Sequence, residues 1–192
     1  MYAISHPQGS NDIRKMATLV DGAGDVDLNS APDLTSVWPE NHLGLDPELE
    51  PQEVQQAIAD AHHWLAGFKW CSQVVRSFWG WGIPPTLSGC LFEIEPTTYH
   101  VDRWLWTVTG DVPPVYLVTD NARNPREALE VHVFEMCRWV RRVRAHEDVA
   151  DVIPVDVPPT EENADLLESR LNFVETEIIN DWDSLWHPET QP

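Results

Sequence analysis

The chain has 192 residues, 42% of them hydrophobic and 23% charged, and its 32 acidic against 12 basic side chains give a formal charge of −20. That length supports one domain with an apolar core, and ten Trp, five Phe and three Tyr argue against wholesale disorder. The negative excess opposes direct binding to nucleic-acid phosphates or anionic lipid, and no apolar run approaches the ~20 residues that cross a bilayer.

Residues 1–45 carry Gly9, Gly22, Gly24, Gly44, Pro32 and Pro39 among many Asp, Asn and Ser, with little periodicity. They are expected to form a loosely ordered acidic arm, anchored by Val37 and Trp38. The opening MYAISHPQGSNDIRK has no signal-peptide core, so a cytoplasmic chain is expected, and Met16 offers an alternative start. Asp25, Asp27 and Asn29 begin like a calcium loop, but Ser30 stands at the turn glycine and Ser36 at the closing Glu. A polar loop is the expectation there.

From Asp46, a run rich in Pro and acids leads into Val54, Ile58, Ala61, Leu65, Phe68, Val75 and Phe78, spaced by threes and fours. This predicts one long amphipathic helix, bent at Gly67 and ended by Gly80 and Gly82. Three strands are predicted next, Cys90 to Glu95, Arg103 to Thr109 and Val115 to Val118, with Gly110, Asp111, Pro113 and Pro114 turning between the last two. Asn124, Pro125 and Glu127 have the chemistry of a helix start, and Arg141, Arg142 and Arg144 load its end. A second start at Pro159 to Glu162 leads into Leu166, Leu167, Leu171, Val174 and Ile178. The predicted fold is therefore α+β. A single domain at 46–180 packs an antiparallel meander of about three strands against about three helices, in the order α-β-β-β-α-α, and 181–192 form a tail.

Enzyme signatures are sparse. No GxSxG, GxxxxGK or GxGxxG motif occurs, and Cys71, Cys90 and Cys137 form no CxxC pair. His62 and His63, adjacent on a helix, point about 100° apart and cannot share an ion. Glu93, Glu95, His100 and Asp102 are the one acid/base or metal combination that a hairpin could assemble. Arg138, Arg141, Arg142 and Arg144 are expected to pair with the acidic carboxy-terminal third.

Charge and tryptophan are distributed unevenly. Residues 1–60 hold 11 acids and 2 bases, 61–150 hold 10 and 9, and 151–192 hold 11 and 1. Seven tryptophans, Trp64, Trp70, Trp79, Trp81, Trp104, Trp106 and Trp139, fall in the neutral middle. So many indoles exceed what packing alone requires, and some are expected to face solvent as partner anchors.

The segment Trp104 to Val140 has a tryptophan-rich strand, a GD-x-P turn, a following Tyr and a Pro-initiated helix, at Trp106, Gly110, Asp111, Pro113, Tyr116 and Pro125. It resembles an uncharacterised family of small bacterial proteins. The resemblance implies shared architecture and supplies no reaction, cofactor or catalytic residue. In acidity, size and lack of enzyme motifs, the chain is also similar in character to bacterial toxin-immunity proteins.

The favoured reading is a soluble acidic binding module, an immunity or inhibitor protein that blocks a basic effector or toxin. Trp79, Trp81, Trp104, Trp106, Asp111 and Tyr116 are its expected contacts. One alternative is an enzyme or small-ligand binder using Glu93, Glu95, His100 and Asp102; another is a subunit of a larger complex. No cofactor, metal, nucleic acid or membrane is expected, and self-association stays open.

Overall fold

The computed structural model describes residues 32, 34–42, 51–98 and 100–185. Most of the expected arm, the calcium-like triplet, Met16, Trp186 and the end of the tail lie outside the described residues. The elements are β1 (Trp38–Pro39), α1 (Pro51–Ala66), β2 (Cys71–Ile83), β3 (Leu87–Pro96), β4 (Trp104–Gly110), β5 (Val115–Val118), α2 (Pro125–Arg144), α3 (Glu161–Phe173) and the short α4 (Trp182–Leu185). A π-helical turn, Val174–Ile179, extends α3. No described helix is long and apolar enough to cross a membrane.

The α+β class and antiparallel meander stand, but the described residues hold five strands, in the order β1-β2-β3-β4-β5, and four helices instead of about three of each. The predicted long helix is half wrong. It stops at Ala66, where Gly67 and Phe68 donate backbone bonds to Trp64 and Leu65 at 3.2 Å, and the chain then becomes β2. Pairing with β3 shifts by one residue between Cys71 and Gln73, between Val74 and Arg76, and between Trp79 and Trp81. Ser72, Val75 and Gly80 are therefore extra residues in β2. Each bulge breaks the two-residue alternation of a strand, and the resulting near-three spacing imitates a helix.

Both faces of the sheet are covered. On one side Trp79, Cys90, Phe92, Ile94, Leu105 and Tyr116 meet Val54, Ile58, Trp64 and Leu65 of α1. On the other, Phe78, Trp81, Leu91, Trp104, Trp106 and Leu117 meet Leu129, Met136, Trp139 and Val140 of α2. Leu167 and Leu171 of α3 and Val174 and Ile178 join that second core. A sheet apolar on both faces cannot alternate in sequence, which is why Cys90 to Glu95 alternates imperfectly.

The helix starts form as their chemistry predicts. Asn124 Oδ1 accepts from Glu127 N at 2.9 Å, Glu127 Oε2 accepts from Arg123 N at 2.7 Å, and Thr160 Oγ1 accepts from Asn163 N at 3.3 Å. His132 of α2 is fully buried, and its Nε2 lies 3.1 Å from the Pro113 carbonyl. That geometry places the proton on Nε2 as donor. Burial pushes its pKa down to about 4 against the opposing pull of that carbonyl.

Gly80 shows how tightly the bulged strand is packed. A Cβ there would sit 2.6 Å from the Trp106 ring and 2.7 Å from the Gly89 carbonyl, neither of which can move without disturbing the central strands. Gly80→Ala is expected to cost about 2 kcal/mol or more, by overpacking. Urea unfolding followed by tryptophan fluorescence measures it, and an unchanged midpoint would contradict this account of the bulge.

Candidate functional site

The four tryptophans expected as partner contacts are not surface anchors. Trp79, Trp81, Trp104 and Trp106 are 1%, 6%, 2% and 0% exposed, and Tyr116 is 8% exposed. The expectation of solvent-facing rings is corrected by two facts of packing. A sheet covered on both faces needs large rings on each side, and the rings also pack on one another. Phe68 stacks on Trp70 with centroids 5.0 Å apart, and Tyr116 meets Trp70 edge-on at 4.8 Å. The Trp106 Nε1–H donates to the Ala122 carbonyl at 2.8 Å, so that ring's polar atom is satisfied inside. Of the six expected contacts only Asp111 is exposed, in the turn after β4, where its backbone N–H donates to Thr86 O at 2.8 Å.

The carboxylate and histidine combination is also divided. Glu93 is buried, while Glu95 and His100 are exposed and Asp102 is part-buried. Among the described residues, no three His, Cys, Asp or Glu side chains are arranged to hold a metal ion. Instead Glu93 is gripped by arginines. Arg76 Nε donates to Glu93 Oε2, and Arg103 Nε donates to Oε1 at 2.8 Å. Burial alone would raise the Glu93 carboxyl. The hydrogen bonds and charges of Arg76 and Arg103 overcome that and hold it below its ordinary value. A carboxylate so held is a poor general acid or base near neutrality.

Asp102 is the contrasting acid. Burial, aided by the nearby Asp120 charge, pushes it up to about 6. It does not take its charge balance from Arg103, its sequence neighbour.

The expected pairing of the α2 arginines with the acidic carboxy-terminal third holds for Arg144 and, more loosely, for Arg142, and not for Arg138 or Arg141. Arg144 reaches Asp165 at 2.7 Å and Glu168 at 2.6 Å on α3. Arg142 approaches Glu147 and Asp151 at 3.8 and 4.0 Å, and Arg138 pairs with Glu135 at 2.8 Å. Arg141 instead donates to the Cys137 carbonyl at 3.1 Å. A cleft of about 540 Å³ opens at the start of α2, lined by residues that include Arg123, Arg126, Glu127, Trp182 and Asp183. Its charges are mixed, and Arg126 is engaged by Glu130 at 3.0 Å.

Sequence reasoning missed the outward side of α3. Leu166 and Phe173 are each 50% exposed. Residues seven apart lie on one side of a helix about 10 Å from one another. Glu162 and Glu177 are exposed before and after them. The missed signal is in the sequence: Leu166 and Leu167 are adjacent and point about 100° apart on a helix, and on α3, packed on one side, only Leu167 faces the core.

No family model, no curated protein and no solved structure matches this chain. The site is therefore built on its own residues alone.

Asp102 and His132 set opposed pH dependences. Asp102 binds its proton more tightly folded than unfolded, so its contribution to stability is present below about pH 4 and is lost as pH rises through about 6. His132 contributes stability that is present above about 6.5 and is lost as pH falls toward about 4. Asp102→Asn removes the first effect and leaves the second. The variant is expected to be more stable than the parent at pH 7.5 by about 1–2 kcal/mol, allowing for partial exposure, and to lose that advantage near pH 4. Thermal melts at the two pH values decide it; an advantage equal at both would contradict the assignment.

Proposed function

We propose that the chain is an acidic protein-binding module that docks a basic protein partner on the outward side of α3, as an immunity or inhibitor protein would to cover an effector. The observation that carries this reading is the pairing of half-exposed Leu166 and Phe173 with carboxylates that have no cation of their own. Among the described residues, Glu162, Glu175, Glu177, Asp181 and Asp183 form no ion pair, whereas Asp165 and Glu168 are taken by Arg144. Apolar contact slows release, and surrounding charge speeds encounter with a surface of opposite sign. The contacts thus move from the buried indoles to α3, while the basic character of the partner is kept. The three cysteines, Cys71, Cys90 and Cys137, are free thiols, which agrees with residence in the cytoplasm.

An amphipathic helical peptide of Lys and Leu, with a Glu and Leu counterpart as control, tests the surface. The Lys peptide is expected to bind, with an association rate that falls as salt is raised. The double variant Leu166→Ser, Phe173→Ser is expected to weaken binding by about tenfold or more while its melting temperature stays near the parent's, since both side chains are half exposed. Equal binding by parent and double variant, or equal binding of both peptides, would remove α3 as the docking surface.

A further inference from the structure

At one end of the sheet, on the side that faces α2, two arginines converge on a single buried carboxylate. The bulge at Val75 brings this about. Without the extra residue Val75 would stand opposite Glu93; with it, Arg76 does. Glu93 is 6% exposed, while the Arg76 and Arg103 side chains are 51% and 46% exposed. The Arg76 guanidinium carbon lies 5.1 Å from the Trp104 ring centroid and 5.5 Å from that of Phe78. Both arginines are therefore held by the Glu93 charge, and Arg76 also by the Trp104 and Phe78 rings, while both side chains stay about half exposed.

Charge at this point does not balance. One carboxylate serves two guanidinium groups, leaving a surplus of one positive charge. In a chain with 32 acids and 12 bases, a nearby carboxylate should have closed the gap. Glu95, on the same strand, and Asp102, beside Arg103, both lack an ion pair to either arginine among the described residues. Donors remain open as well. Glu93 engages Nε of Arg76 and both Nε and Nη2 of Arg103, so the Nη pair of Arg76 and Nη1 of Arg103 stay available. Guanidinium N–H groups match the oxygens of a carboxylate or phosphate, and the anchoring of both arginines by Glu93 reduces the ordering cost of binding.

We propose that Arg76 and Arg103 form an oxyanion-binding site for a carboxylate or phosphate group, with Glu93 as the positioning residue beneath them. Glu95 lies nearest along β3 as a competing negative charge. The site is independent of the docking surface on α3.

Titration of the protein with inorganic phosphate, and in parallel with succinate, followed through the arginine Nε–Hε resonances, tests it. Saturable shifts are expected at Arg76 and Arg103 and not at Arg144, whose fork is already filled by Asp165 and Glu168. Arg76→Lys keeps the charge but loses the fork, and is expected to weaken binding about tenfold. Glu95→Gln, on an exposed side chain, is expected to strengthen it, a change that a merely structural ion pair would not produce. A response to phosphate alone, to succinate alone or to both supports the site and identifies its group. Shifts that never saturate, or that appear equally at Arg144, overturn it. Should Arg76→Lys fail to fold, the parent and Glu95→Gln titrations decide the matter by themselves.

Discussion

A sheet buried on both faces has no wet side, and from that constraint most of this molecule follows. The central strand β3 must offer Cys90, Phe92 and Ile94 to one core and Leu91 to the other. Two cores in a domain of this size call for large side chains, because a ring covers ~150–250 Å² where a small aliphatic covers far less. The tryptophan content is that demand met. It also explains why β2 bends so often. Each bulge adds local twist and resets which face the next side chain meets, so that Trp79 and Trp81, two apart across the bulge at Gly80, reach opposite cores. Gly80 stands at one of these bulges, close against Trp106.

The same constraint decides what could be read from the chain beforehand. Helix starts were legible because they are local chemistry: Asn124 with Pro125 and Glu127, and Thr160 with Asn163, need no knowledge of the rest of the fold. β4 and β5 were legible from β-branched and aromatic content with a Pro-rich turn between them. β2 was not, because Val75 and Phe78, three apart, satisfied a helical template while Ser72, Val75 and Gly80 disrupted the strand template. The exposure of the indoles was illegible for a different reason. Composition counts rings, but only topology says whether a second layer of helix lies over them, and α1 and α2 supply one on each side.

The carboxylates of β3 carry a finer version of the same lesson. Alternation correctly suggested that Glu93 and Glu95 share a face, since they are two residues apart on one strand. Depth, however, separates them. Glu93 stands opposite Trp104 on one neighbour and Arg76 on the other, while Glu95 lies two residues nearer the strand end and is exposed. An acid buried beside a tryptophan must be paired to remain charged, and the pairing arginine arrives only because of a bulge at Val75. Sequence spacing between Arg76 and Glu93 contains no trace of that contact.

Charge is arranged by layer as well as along the chain. The neutral middle of the sequence forms β2 to β5, the end of α1 and all of α2, where unpaired charge is costly. The acidic last third forms the outermost helix, where solvent tolerates it, and gives up Asp165 and Glu168 to fasten that helix to α2 through Arg144. Glu162 and Glu177 remain exposed one turn before Leu166 and one turn after Phe173, and the surplus of positive charge at Arg76 and Arg103 lies elsewhere. Attraction by net charge alone selects any basic surface. A partner that engaged both places would have to present cations to α3 and an anion to the end of β2 and β3, and a surface lacking the anion would meet two half-exposed arginines as like charges. Discrimination built from one attractive and one repulsive element is sharper than either alone, and here the repulsive element depends on a single extra residue in one strand.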